Sequence, residues 1–166
     1  EMKLVPDKEA KTLTLIDRGC GMTKEDLINH LGTVAQSGTS SFIEAFSEGA
    51  DVNLIGQFGV GFYSAFLVAD RVTVVTKAEG EAQLRWESEQ AATYTISTDD
   101  SEPIESSGTR LTLHLKEAAD NYAEDYTLRD LLKRYSEFIS FPIELWTEKT
   151  EYETVPDPDA EPPAEG

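Results

Sequence analysis

Three glycines fall within residues 56–62, GQFGVGF, directly before YSAFLVAD, which is typical of a helix. Glycine permits positive φ and close approach of a ligand to the backbone, and the free N–H groups at a helix start attract anions. The spacing GxxGxG matches neither the Walker pattern nor the dinucleotide-binding GxGxxG. The stretch is therefore either a phosphate-binding loop or an ordinary tight turn between a strand and a helix.

Asp17 ends the apolar segment KTLTLID, and Gly19 and Gly21 follow it. A carboxylate in this position can accept a hydrogen bond from an amine deep in a pocket, such as the 6-amino group of adenine. The two glycines would let a flat ring lie against the backbone, and Met22 would pack on the face of that ring. Asp also caps turns frequently, and taken alone the residue favours this capping role.

The histidines and the cysteine predict no zinc-type metal site. His30 and His114 are the two histidines and lack metal-ligand spacing, and the single cysteine, Cys20, has no CxxC partner. His114 is expected to face solvent from an alternating strand. A single cysteine also excludes an internal disulfide.

The composition predicts one domain and restricts the partners. The 166 residues carry a net charge of −18, which argues against nucleic acid or an anionic membrane as the main partner. No apolar run approaches the length of a membrane-spanning helix. The chain opens at Glu1 without a start methionine, which suggests a fragment.

Alternating apolar residues predict strands, and 3.6-residue periodicity predicts helices. A capping box formed by Thr23 and Asp26 should start one helix, which continues with apolar residues at helical spacing, and residues 62–68 should form a short second one. The amphipathic helix near the end carries Leu128, Leu131, Leu132, Tyr135, Phe138 and Ile139. The predicted strands are residues 11–17, 71–77, 83–88, 93–98, 109–116 and 142–146.

The hairpin-like run from residue 71 to 116 favours an antiparallel or mixed sheet with helices on one face, a two-layer α+β sandwich. Residues 150–166 are rich in acids and proline, which predicts a linker without a core. The structured domain is then expected to cover residues 1–149.

The order of the motifs resembles the ATP-binding domain of the superfamily that joins gyrase, heat-shock chaperones, histidine kinases and mismatch-repair proteins. That order is a strand with DxGxG, a capped helix, an SGT loop, GxxGxG on a helix, and a strand starting in GT. The segments GMTKEDLINHLGTVAQSGTSSF, NLIGQFGVGFYSAFLVADRV and RYSEFISFPIELW are similar to the ninety-kilodalton heat-shock protein family. The similarity runs from about residue 13 to residue 149 and is strongest to the endoplasmic-reticulum branch, with the chloroplast branch next.

The resemblance implies roles for individual residues. Asp17 would recognise adenine, Thr109 would share its water network, and Gly21 and Met22 would line the base pocket. His30 stands where the family usually has Asn, near the sugar and phosphates. The residues implied at the phosphates are Gly59, Val60, Gly61 and Phe62, and the lid over bound ATP would include Ser37, Gly38 and Thr39.

The resemblance also implies what lies outside these residues. In the family, a glutamate that acts as general base and an asparagine that holds Mg²⁺ lie on a helix preceding the strand at residues 11–17. Both are expected upstream of Glu1, so the chain would contain no catalytic residue and would be inactive alone, although the full-length protein would be an ATPase.

The implied function is an ATP-dependent molecular chaperone that assists the folding of unfolded or partly folded client proteins. Co-chaperones and a homodimer of the full-length protein are the implied partners, with no nucleic acid and no membrane. The implied compartment is the lumen of the endoplasmic reticulum, with chloroplast or cytoplasm as alternatives. A non-catalytic, nucleotide-sensing module is the alternative function.

Overall fold

The structure is a computed structural model and describes residues 1–32, 61–89, 93–136, 139 and 141–147. Within these ranges, seven strands form one sheet in the order β5-β4-β3-β6-β2-β1-β7. The parallel pair β1–β7 lies at one edge, and the other neighbouring strands are antiparallel. The strands are β1 (Met2–Asp7), β2 (Thr12–Asp17), β3 (Ala69–Lys77), β4 (Leu84–Glu89), β5 (Thr93–Thr98), β6 (Gly108–Leu115) and β7 (Ile143–Leu145).

The helical segments are short, apart from the last one. They are α1 (Lys24–Asp26) with a π-helical continuation (Leu27–Gly32), a 3₁₀ turn (Gly61–Ser64) leading into α2 (Ala65–Val68), a second 3₁₀ segment (Glu117–Ala123), and α3 (Asp125–Tyr135). In the described ranges, no helix has the length and apolar character needed to cross a bilayer.

The predicted capping box is confirmed. The Asp26 amide donates to Thr23 Oγ1 at 3.2 Å, and Asp26 Oδ2 accepts from the Thr23 amide at 2.9 Å. Both bonds satisfy N–H groups that a helix start leaves without partners. They orient the segment that carries Leu27 and Leu31 into the core.

One face of the sheet carries the core, which confirms the two-layer α+β sandwich. Strand residues such as Leu13, Val72 and Trp86 are buried there against Leu27 and Leu128 from the helical layer. The alternation of the strands sends polar side chains to the other face, as expected for an antiparallel sheet with one covered side.

β1 is a strand that the sequence analysis missed. Its segment MKLVPD contains a proline and two charged residues, which weaken the strand pattern. It is held by β2 along its whole length and by β7, whose residues lie more than 130 positions later in the chain. The other predicted strands are confirmed, with ends within one or two residues.

Two side-chain predictions are wrong. Tyr135, expected on the apolar face of the last helix, is exposed, and Ile139 lies beyond the end of α3. His114 lies on the uncovered face of the sheet, as expected, and is half-buried there because Arg71 Nη2 lies 3.1 Å from its Nδ1 and Thr73 Oγ1 lies 3.3 Å from its Nε2. Burial, together with the charge of Arg71, lowers the pKa of His114 below its ordinary value.

Asp99 anchors the loop that leads from β5 to β6. Burial by itself raises the pKa of Asp99, but hydrogen bonds from Ser101, Gln83 and Arg85 outweigh it and lower the pKa to about 2. Gln83 Nε2 and Arg85 Nε lie 2.7 and 2.8 Å from the carboxylate oxygens. The network holds the loop whose far end enters β6 at Gly108.

We expect Asp99→Asn to lower the free energy of unfolding by about 2 kcal/mol at pH 7. The pKa of Asp99 in the folded protein lies below the ordinary value near 3.9. Its contribution to the free energy of unfolding is therefore complete above about pH 5 and is lost as the pH falls toward 2. Urea unfolding at pH 7, 5, 4 and 3 should show the difference between wild type and variant shrinking at the acidic end. The neighbouring, exposed Asp100 supplies the control Asp100→Asn, for which we expect little change. A difference independent of pH would contradict this role of Asp99.

Candidate functional site

A cavity of about 160 Å³ lies on the covered face of the sheet, at the end of β2. Among its described lining residues, Asp17 and Thr109 are the polar ones, and they are paired in register across β2 and β6. The apolar walls include Leu15, Met22, Leu31, Phe62, Val74 and Leu111. Asp17, Met22 and Thr109, which the resemblance assigned to the base, are far apart in the chain and meet here. Phe62, which the resemblance assigned to the phosphates, lies in the apolar wall of the same cavity.

Asp17 has the turn-capping role that the sequence left open, and its recognition of a ligand amine stays a prediction. Its Oδ1 accepts the Gly19 amide at 2.7 Å, which closes the turn after β2. In the described part of the chain, Oδ2 has no hydrogen-bond partner. The half-buried carboxylate thus closes its own turn with one oxygen, and its residue lines the cavity.

Gly21 can only be glycine in this fold. Its φ is +68°, and a Cβ there would lie 1.9 Å from the carbonyl oxygen of Lys77. The turn therefore passes directly against β3, which places the next residue, Met22, in the cavity wall. The Met22 amide donates to Thr76 Oγ1 at 2.9 Å and fastens the turn there.

Thr76 is a site residue that the sequence analysis missed. It is fully buried, and its hydroxyl contacts the Gly108 carbonyl at 3.0 Å and Thr109 Oγ1 at 3.1 Å. The sequence pattern could have identified Thr76, because it shares the inward face of β3 with Val72 and Val74. A hydroxyl at a core-facing position needs a polar partner.

Phe62 enters the cavity wall from the 3₁₀ turn. Its ring meets that of Trp86 edge-on, with centroids 5.3 Å apart, so the fully buried Trp86 holds it in place. Gly61 is exposed at the start of the same turn, and its carbonyl accepts from Ser64 Oγ at 2.6 Å.

Other predicted site residues lie outside the described ranges. These are Gly59 and Val60 of the phosphate-facing loop and Ser37, Gly38 and Thr39 of the lid. Their roles stay predictions.

His30 does not line the cavity. It lies on the outer side of the π-helical segment, with its side chain 71% exposed and its Nε2 4.0 Å from Asp26 Oδ1. Leu27 and Leu31, on the inner side of the same segment, are buried. The role of His30 in nucleotide binding stays a prediction.

The described walls of the cavity suit a flat, apolar ring with a hydrogen-bond donor at one edge. Its volume is below the roughly 300–1,000 Å³ of drug-sized ligand pockets, so it suits a ring rather than a whole nucleotide. The walls are apolar, a carboxylate oxygen is available at one end, and Gly21 brings the backbone close. Over the described ranges, no three His, Cys, Asp or Glu side chains are grouped to hold a metal ion.

Comparisons with known proteins agree with this geometry. A family model described as histidine kinase-, DNA gyrase B-, and HSP90-like ATPase matches residues 2–121, and one described as Hsp90 protein matches residues 121–166. The first of these covers the whole cavity.

Relatives with closely similar sequences come from plants and bacteria. An endoplasmin homolog of Hordeum vulgare is 54% identical over 150 residues, which cover 90% of this chain and 18% of that protein. Heat shock protein 90-6, mitochondrial, of Arabidopsis thaliana is 49% identical, over 90% of this chain and 20% of that protein. The chaperone protein HtpG of Desulfitobacterium hafniense is 48% identical, over 90% of this chain and 25% of that protein.

The match thus spans 18–25% of the length of these relatives. The match nevertheless runs through the strands, turn and cavity residues described above. The chain belongs to the histidine kinase-, DNA gyrase B-, and HSP90-like ATPase family and, within it, to the Hsp90 proteins.

Proposed function

We propose that this chain is the ATP-binding part of an ATP-dependent molecular chaperone. The observation that carries the proposal is the free carboxylate oxygen of Asp17 beside Thr109, at the polar end of an apolar cavity. Adenine offers a matching edge, because its exocyclic amine donates hydrogen bonds and its ring is apolar above and below.

In this proposal, each residue of the cavity makes a different contact with the nucleotide. Asp17 accepts from the amine, and Thr109 supports the same edge. Met22 and Phe62 cover the ring and exclude water, which strengthens the polar contacts because water no longer competes for them. Gly59, Val60 and Gly61 would offer backbone N–H groups to the phosphates of ATP, with the site of hydrolysis beyond the cavity.

In the whole protein, we propose that ATP binding drives pairing of two protomers and the remodelling of unfolded or partly folded clients, with co-chaperones as further partners. The names of the relatives support chaperone function, since they include endoplasmin homologs and HtpG. For the compartment we propose the endoplasmic reticulum, on the basis of the endoplasmin homologs. A mitochondrial relative and bacterial relatives are similarly close.

We also propose that the general base and the Mg²⁺ ligand of the ATPase reaction lie outside these 166 residues. Asp17 is the only ionisable side chain among the described lining residues of the cavity, and its place at the base end suits recognition rather than activation of water. The same observation favours the second candidate function, a module that senses nucleotide without hydrolysing it.

We expect Asp17→Asn to weaken ATP binding roughly 10- to 100-fold, because a hydrogen bond to a charged acceptor contributes about 1.5–3 kcal/mol. Asn keeps an oxygen for the Gly19 amide, so the turn should survive. Isothermal titration calorimetry with ATP would measure the change.

Asp7→Asn is the matched control for that experiment. The Asp7 carboxylate likewise accepts a backbone amide of the turn that follows its strand, that of Ala10 at 2.8 Å, but it lies at the opposite end of β1 from the cavity. Unchanged ATP affinity in Asp17→Asn, or an equal loss in Asp7→Asn, would refute the assignment of Asp17.

We expect the 166-residue polypeptide to bind ATP without detectable turnover. General-base catalysis contributes about 10²- to 10⁴-fold to a rate, and Mg²⁺ offsets phosphate charge in addition. Phosphate release should be compared with that of the same protein extended upstream of Glu1. Equal and readily detected turnover in the two would place the base inside this sequence. Turnover below detection in both would favour the nucleotide-sensing module.

A further inference from the structure

The buried hydroxyl of Thr76 joins three segments that form the polar end of the cavity. It lies 2.9 Å from the Met22 amide, 3.0 Å from the Gly108 carbonyl and 3.1 Å from Thr109 Oγ1. Thr76 itself is absent from the cavity wall. Its action on a ligand must therefore pass through the residues that it holds.

Counting hydrogens assigns the direction of each bond. The Met22 N–H can only donate, and the Gly108 carbonyl can only accept. Thr76 has one hydroxyl hydrogen, and the bond to Gly108 uses it. The hydrogen between the two threonines therefore comes from Thr109, and Thr109 Oγ1 offers only lone pairs to the cavity.

Among the described residues, the polar end of the cavity is then formed by two acceptors, Asp17 and Thr109 Oγ1. The exocyclic amine of adenine carries two hydrogens and satisfies both, directly or through water. A 6-oxo purine has the acceptor O6 in place of that amine and the donor N1–H in place of the acceptor N1 of adenine. Its oxygen would face an acceptor, and a buried polar group without a partner is strongly disfavoured.

We propose that Thr76 is a positioning residue that sets purine selectivity by orienting the Thr109 hydroxyl away from the ligand. The proposal rests on the nucleotide site proposed above. If Thr76 lacks its hydroxyl, Thr109 loses its internal acceptor and its hydrogen becomes available to O6. A 6-oxo purine then fits, with N1–H donating to Asp17 and O6 accepting from Thr109.

The test compares ADP with inosine diphosphate by calorimetry on the complete chain. For the wild type we expect ADP to bind roughly 10- to 100-fold more tightly, the range for a polar mismatch of this kind. Thr76→Val is nearly isosteric, and we expect it to reduce this ratio at least tenfold. Thr76→Ser retains the hydroxyl and should restore the wild-type ratio.

Two further variants complete the test. Thr112 lies on the opposite face of β6, where its hydroxyl lies 3.2 Å from that of Thr14, so Thr112→Val should leave the ratio unchanged. Thr109→Val removes the second acceptor and should also lower the ratio, which keeps the proposal testable if Thr76→Val does not fold.

The outcomes separate the two proposals. An equal loss of affinity for both nucleotides in Thr76→Val would mean that Thr76 acts only on stability, and this would overturn the inference while leaving the site intact. An unchanged ratio in Thr109→Val would overturn it as well. Failure of the wild type to bind either nucleotide would overturn the proposed function and, with it, the role of Thr76.

Discussion

The pairing of β2, β6 and β3 is the constraint on which the rest of the structure depends. The register sets Asp17 opposite Thr109, and Thr109 opposite Thr76. Because side chains alternate along strands, these three residues must also lie on the same face of the sheet, the face that the helices cover. A shift by one residue in either ladder would turn one of the three to the solvent face. The polar end of the cavity is therefore a consequence of strand register rather than of a flexible loop.

At the turn after β2, backbone segments approach one another so closely that only glycine fits. Gly21 passes so close to the Lys77 carbonyl that a side chain cannot be inserted. Gly108 is under a similar restriction, since a Cβ there would lie 2.6 Å from the Asp17 carbonyl oxygen. Two glycines thus allow the segments carrying Met22 and Thr109 to approach β2 and β3. This close backbone approach brings the side chains of Asp17 and Thr109 together at the polar end of the cavity.

The net negative charge of the chain is a second constraint on the site. The chain carries a net charge of −18, so an anionic nucleotide approaches against the overall field of the protein. Among the described lining residues of the cavity, Asp17 supplies the one carboxylate, and the walls are apolar apart from Asp17 and Thr109. Apolar contacts from Phe62 and Met22 do not depend on that field.

The sequence by itself determined the elements whose signals are local. Period-two alternation located β2 to β7, and the capping box located the start of α1. Motif order, together with the family resemblance, pointed to Asp17, Met22, Phe62 and Thr109. These four residues do share one cavity. Only the tertiary structure decided the features that depend on distant partners. β1 is held by pairing with β7, which lies near the other end of the chain. The burial of Leu27 and Leu31 leaves His30 on the exposed side of its segment. The Thr76 hydroxyl contacts that of Thr109, which is 33 positions later in the sequence. The physical reason is that propensity and periodicity act between near neighbours, whereas the direction of a hydroxyl hydrogen is set by whichever acceptor the fold brings beside it.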